Sequence, residues 1–196
     1  MAHRLFITAI CVEESDEEPP CKRPRWPLRR LPVRPVTVRR KGREEAIGDE
    51  ELSGVAPARL IRRALPPHLA DALLAQLLKE SEGWQRSAWF IHGKEQVTPR
   101  STAEYQLAES SELLREAARH VREAVVKERP RCTWVPSLAL GNRYDDGRSC
   151  VAWHSDFLNA LGPRPIIVGL SLGACRKFSL RSNDLVVAMP MPHNSA

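Results

Sequence analysis

At 196 residues, 42% of them apolar, the chain can bury one domain's core and leave a tail, which excludes a multidomain array. The formal net charge of +6 is uneven, because residues 1–46 hold 11 basic and 7 acidic side chains and the remainder is nearly neutral. Five cysteines, at positions 11, 21, 132, 150 and 175, are odd in number and lack paired metal spacing, which argues against a disulfide framework and fits a reducing compartment.

The opening MAHRLFITAICVEESDEE carries an apolar patch over residues 5–12, short for a signal peptide and without a convincing cleavage site before the acids. No run is long enough to span a membrane, so no membrane partner is expected. Glu13, Glu14, Asp16, Glu17 and Glu18 then give way to a Pro-rich basic arm over residues 21–43, with ten Lys or Arg and no acid. Such a composition cannot build a core, so residues 1–46 are predicted to be a disordered tail. Lys22-Arg23-Pro24-Arg25 reads as a nuclear-import or loose phosphate-contact segment, or as plain solvated tail, and suggests a nuclear or cytoplasmic location.

After Pro66-Pro67, Leu69, Leu73 and Leu77 with Ala70, Leu74 and Leu78 recur at helical spacing, with Gly83 as a stop. Residues 84–91, a turn at His92-Gly93-Lys94, and residues 96–105 predict a strand pair rich in Trp84, Trp89, Phe90 and Tyr105. Interleaved with Arg86, Lys94 and Arg100, these aromatics could stack a base and hold its phosphates, or simply pack as core. Trp84, Arg100 and Tyr105 are the candidate substrate contacts. Ser110 or Ser111 caps a second helix whose Leu114, Ala117 or Ala118, Val121 and Val125 form one apolar face, ending before Pro130. Farther on the period becomes two: Ile166, Val168, Leu170 and Leu172 alternate with Ile167, Gly169, Ser171 and Gly173. A Gly173-Ala174 turn leads to strands over 175–181 and 184–189. Short strands after two helices predict an α+β fold, a jelly-roll-type double sheet with helices packed outside.

The chemistry gathers between residues 138 and 181. His154 and Asp156 stand i, i+2 after the apolar run Cys150, Val151, Ala152, Trp153, and on a strand that spacing turns both to one face, where they could share a metal. A neutral imidazole and a carboxylate leave half of an octahedral Fe(II) open, and one further His would complete a facial triad. Upstream, Asn142 and Tyr144 offer an amide and a phenol donor, while Asn142 and Asp146-Gly147 also suit a hairpin turn. No Gly-rich phosphate loop, Ser-His-Asp order or Cys-x-x-Cys pair is present, which removes nucleotide hydrolysis, serine hydrolysis and zinc-ribbon readings.

Four ordered blocks carry a family likeness: Asn142-x-Tyr144-x-Asp146-Gly147; Val151-x-Trp153-His154-Ser155-Asp156; Leu161-Gly162-Pro163-x-Pro165; and Leu170-Ser171-Leu172-Gly173 with Arg176 and Phe178. With Pro99-Arg100-Ser101-Thr102 and Tyr105, the chain resembles, from about residue 55 onward, the AlkB family of Fe(II)- and 2-oxoglutarate-dependent dioxygenases. The resemblance implies a double-stranded β-helix over 55–196, His154 and Asp156 as iron ligands, Asn142 and Tyr144 as contacts to 2-oxoglutarate, and a flap over the substrate nucleotide near residues 84–105. It implies a monomer that uses Fe(II), 2-oxoglutarate and dioxygen to demethylate alkylated bases in DNA or RNA, a DNA-repair activity on single-stranded or flipped bases. Leu158 stands where some members carry an acidic base-reading residue.

In the family a second ligand His and two carboxylate-binding Arg follow the block matched by Pro192-His193-Asn194-Ser195. The expectation is therefore a domain whose last strands are missing, with two iron ligands, impaired turnover, an exposed apolar edge at 185–187, and His193 as the nearest replacement ligand. A non-catalytic nucleic-acid-binding fragment or isoform, or a dioxygenase acting on protein or lipid, are the alternatives.

Overall fold

A computed structural model describes residues 3–10, 35–80, 82–91, 93–146, 149–154 and 166–196. Asp156, Leu158, Gly147 and the 161–165 block lie outside them. The strands are β1 (His3–Ile10), β2 (Val36–Arg40), β3 (Arg43–Ile47), β4 (Ala88–Ile91), β5 (Lys94–Val97), β6 (Ser101–Gln106), β7 (Pro136–Arg143), β8 (Val168–Gly173), β9 (Arg176–Ser182) and β10 (Leu185–Met191). The helices are α1 (Leu52–Val55), α2 (Pro67–Lys79) and α3 (Glu112–Glu128), so the chain is mixed α+β.

Two four-stranded sheets, ordered β6-β7-β1-β8 and β3-β2-β10-β9, are accompanied by a β4-β5 ribbon. The second sheet is antiparallel throughout, whereas β1 runs parallel to both β7 and β8. Helix α2 opens on Pro67, whose missing N–H has no intrahelical partner to lose. Helix α3 is capped by Ser111, whose hydroxyl accepts from the Leu114 amide at 3.3 Å. Leu69, Leu73 and Leu77 of α2 pack with Leu114, Ala117, Ala118 and Val121 of α3 over Trp134, Ala139, Leu170 and Leu172. Fully burying each leucine contributes about 1.5–3 kcal/mol, so this is the main store of stability. A second cluster, Val36, Val38, Leu52, Val187 and Met189, holds the other sheet.

Several expectations need correction. The tail expected over 1–46 contains β1 and most of a hairpin: Val36 and Val38 bury one face, and Lys41 and Gly42, at φ 45° and 79°, make its two-residue turn. The strand expected over 96–105 breaks at Pro99, which has no N–H for a ladder, so β5 pairs with β4 and β6 with β7. Residues 185–187 are not an exposed edge, because β10 lies between β2 and β9. Cys150–His154 is irregular rather than a strand.

The Pro192-His193-Asn194-Ser195 block is a buried latch. Asn194 exchanges two side-chain bonds with Leu65, accepting from its N–H and donating to its carbonyl, both at 2.7 Å. Its own N–H reaches the Ser171 carbonyl at 2.8 Å, and Ser171 N–H returns to the Ser195 carbonyl at 2.8 Å. Ala196 and Ile61 exchange backbone bonds at 2.7 and 2.9 Å. The block therefore ties the segment before α2 to β8.

Candidate co-substrate and metal site

Strand β7 delivers the site. Gly141 on it has no room for a side chain, since a Cβ there would lie 2.8 Å from the Trp84 ring and 3.2 Å from the Tyr105 ring. Those two rings meet edge to face, centroids 6.3 Å apart, against the strand. The Tyr105 hydroxyl donates to Glu80 at 2.9 Å, and burial, then that bond to Glu80, hold its phenol well above the usual range. Trp84 and Tyr105 thus pack half-buried against β7.

One residue on, Asn142 is 6% exposed, and its Oδ1 accepts from Arg100 Nε at 2.6 Å. Tyr144 is 9% exposed, with the Arg176 guanidinium 4.0 Å from its ring centroid. Burial raises the Tyr144 phenol pKa, while the charges of Arg100 and Arg176 pull it down. Arg176 in turn donates to the Ser149 carbonyl. Ser149 is held by Asp146, whose Oδ1 accepts from its amide at 3.0 Å and from its hydroxyl at 3.1 Å. The turn reading of Asp146 is therefore the structural one. Asn142 lies inside β7 rather than in a turn.

His154 is exposed, and its Nδ1 lies 2.8 Å from the Ala152 carbonyl. A carbonyl can only accept, so Nδ1 carries a proton, and it is Nε2 that could serve a metal in the neutral ring. Trp153 beside it is half exposed, under the Arg181 guanidinium at 4.7 Å. Among the described residues no group of three His, Cys, Asp or Glu is placed to hold a metal. The donor chemistry fits one ligand, His154, with Asp156 outside the described residues. His193 is otherwise engaged: its Nδ1 accepts from Gly173 N–H at 3.0 Å, and its Nε2 lies 3.2 Å from Asp71. The Asp71 contact has ion-pair distance without hydrogen-bond angles, so the Gly173 bond is the one that fixes the ring.

Sequence reasoning gave no role to Gly141, Glu80 or Arg176. A glycine inside the period-two run Leu138-Ala139-Leu140 does signal close approach, and it was the available clue for the first. Arg176 was marked only as a member of the fourth block, without a role, and Glu80 acts through tertiary proximity that no spacing announces.

No curated protein and no solved structure matches the chain significantly. A family model described as the 2OG-Fe(II) oxygenase superfamily matches residues 57–196, which takes in α2, Asn142, Tyr144 and His154. The family is one of oxidoreductases that use Fe(II) and 2-oxoglutarate, and the chain belongs to the 2OG-Fe(II) oxygenase superfamily.

Proposed function

We propose that the chain oxidatively demethylates alkylated bases in DNA or RNA, as an AlkB-like monomer acting on single strands or flipped bases in the nucleus or cytoplasm. The observation that carries the co-substrate half is the cluster in which Asn142 and Tyr144, each more than nine-tenths buried, meet the guanidinium groups of Arg100 and Arg176 respectively. The double-stranded β-helix that we assign to the domain rests on the family match over residues 57–196, which contain seven of the described strands, β4 to β10.

Bound Fe(II) would supply dioxygen activation coupled to decarboxylation of 2-oxoglutarate, with His154 and Asp156 as its ligands. The chain's own part is positional. Ala152 holds the His154 ring in the ligating tautomer, and the Asn142 and Tyr144 donors orient the dicarboxylate at the end of β7. The base half rests on the AlkB-like blocks. The polar cleft of about 300 Å³ lined by Gln85, Ser87, Thr102 and Glu104 carries no cation for phosphate. The basic segment before β2 would supply that charge instead.

The test is formaldehyde release from an N-methylated oligonucleotide with Fe(II) and 2-oxoglutarate, for the wild type, His154→Ala and Asp156→Ala. Loss of release in both variants is expected, and equal turnover in all three would refute the ligand assignment. A nucleic-acid-binding module without turnover is the second reading, favoured by the engagement of His193 with Gly173 and Asp71. It requires salt-sensitive oligonucleotide binding with 2-oxoglutarate decarboxylation at background. Release only from an alkylated protein or lipid would move the same chemistry to another substrate class.

A further inference from the structure

We infer that the polar face of the second sheet grips single-stranded nucleic acid, with Arg39, Lys177 and Arg181 on its phosphates and Trp153 stacking a base; this rests on the nucleic-acid reading above. Register builds the face. Directly opposed residues of an antiparallel ladder turn their side chains to the same side. Val186 of β10 stands opposite Arg39 of β2 on one flank and Arg181 of β9 on the other, so the two arginines share a cross-strand row. Lys177, four residues before Arg181 on β9, lies on that same side. The other side of the sheet is apolar, where Val36, Val38, Val187 and Met189 bury with Leu52. From strand geometry the two arginines stand about 10 Å apart across the sheet, and Lys177 about 13 Å along β9 from Arg181.

All three cations are exposed, and among the described residues no carboxylate forms an ion pair with any of them. The acid of that row, Glu44 on β3, is opposed to Arg39 in register without an ion pair between them. The contact Arg181 does make is aromatic: its guanidinium lies 4.7 Å from the centroid of the Trp153 ring. Trp153 is nonetheless 52% exposed, so a large apolar ring is held in place by a cation while the rest of its surface meets solvent. An acidic peptide would satisfy the cations and leave the indole idle. A single strand satisfies both, because it alternates phosphates with π faces. Trp153 also directly precedes His154, so a strand held here passes beside the candidate iron ligand. The face supplies the phosphate contacts that the polar cleft lacks, and it includes β2, into which the basic segment of the sequence runs.

The experiment is fluorescence anisotropy of a short labelled oligothymidylate with the full chain over a salt series. Each phosphate contact contributes about 0.7 to the slope of log affinity against log salt for single strands. Replacing Arg39, Lys177 and Arg181 together by Gln should therefore flatten the slope by about 2, and Arg181→Gln alone by about 0.7, which serves if the triple variant does not fold. Arg181→Lys, which keeps the charge, should keep the wild-type slope. Trp153→Ala should weaken binding about fivefold to a hundredfold with the slope unchanged, the effect of one lost stack, and Trp153→Phe should retain most of the affinity. Arg122→Gln with Arg131→Gln, exposed cations of α3 and the segment after it, should leave the slope as it is. An unchanged slope in the triple variant and in Arg181→Gln overturns the inference and leaves the nucleic-acid reading standing, as does equal flattening by the Arg122 and Arg131 pair. Polyglutamate that displaces the oligonucleotide at equal charge, with Trp153→Ala binding as wild type, assigns the face to an acidic protein and also overturns it. Failure of the wild type to bind oligothymidylate even at low salt overturns both.

Discussion

Replacing Asn194 with alanine removes both side-chain bonds to Leu65, each 2.7 Å long, at a residue only 4% exposed. The Leu65 N–H and carbonyl would be left buried without partners, at about 1–3 kcal/mol each. Partial relaxation lets water reach one of them, so we expect a loss of about 2–4 kcal/mol. Asn194 also sits at φ 61°, a region asparagine tolerates and alanine does not, which adds about 1 kcal/mol for alanine. Asn194→Gly loses the same bonds without that backbone term and should be the milder of the two. Against a typical total of 5–15 kcal/mol either variant is severe. With a urea slope of roughly 2 kcal/mol/M the midpoint should fall by about 1–2 M in Asn194→Gly and about 1.5–2.5 M in Asn194→Ala. The assay is equilibrium urea unfolding followed by tryptophan fluorescence, with unchanged slopes as the sign of unchanged cooperativity. A midpoint shift under about 0.3 M in Asn194→Ala, or greater damage from glycine than from alanine, would refute the latch.

Three other perturbations follow from geometry already given. Burial lowers the His193 pKa below its ordinary 6.5 against the opposing pull of Asp71, so the neutral ring is the folded form. Its contribution is complete above pH 6.5 and is lost as pH falls through the depressed folded value, where protonation removes the Nδ1 acceptor for Gly173. His193→Gln should flatten that limb of stability against pH, and two superimposable curves would refute it. Gly141→Ala should destabilise by about 1–3 kcal/mol, because the new methyl meets the Trp84 ring at 2.8 Å; chemical unfolding and a changed Trp84 fluorescence environment check it. Ser111→Ala should cost about 1 kcal/mol through the lost cap on α3, read as reduced thermal stability with the helical signal retained.

The two long helices were legible because their information is local. The proline start, the serine cap and the leucine spacing all lie within a few residues of what they specify, and α2 and α3 follow them closely. The β2-β3 hairpin was missed although Val36-Thr37-Val38 and Lys41-Gly42 carry its period and its turn, because the surrounding run of arginine and proline dominates the composition. In a two-sided strand pair the charged face counts against burial only in the average. The candidate site divides the same way. Asn142 and Tyr144 were singled out by type and spacing, and both are buried beside the end of β7. The grip of Arg100 on Asn142 spans 42 residues and depends on how β6 registers against β7, which no short pattern states. Asn194 was visible only as part of the Pro192–Ser195 block; that its side chain closes a bond pair 129 residues away is a property of the assembled fold.

Strand β1 has a consequence for the order of assembly. Thr8 stands in register with Asn142 on one side and with Ser171 on the other, so the first strand of the chain completes the middle of the sheet. During synthesis residues 3–10 leave the ribosome long before either partner exists. At about 5–20 residues per second, the wait from His3 to its first partner, Pro136, is on the order of ten seconds. Through that interval an apolar segment with a strand's open hydrogen bonds is a target for chaperones and for other nascent chains. The acidic run that follows it, Glu13 to Glu18, places like charge beside the segment and opposes encounters between copies. Closure of the central sheet is therefore a late event set by translation of β7 and β8. Slowing elongation downstream of residue 12 should lower the yield of folded protein without altering the folded state itself.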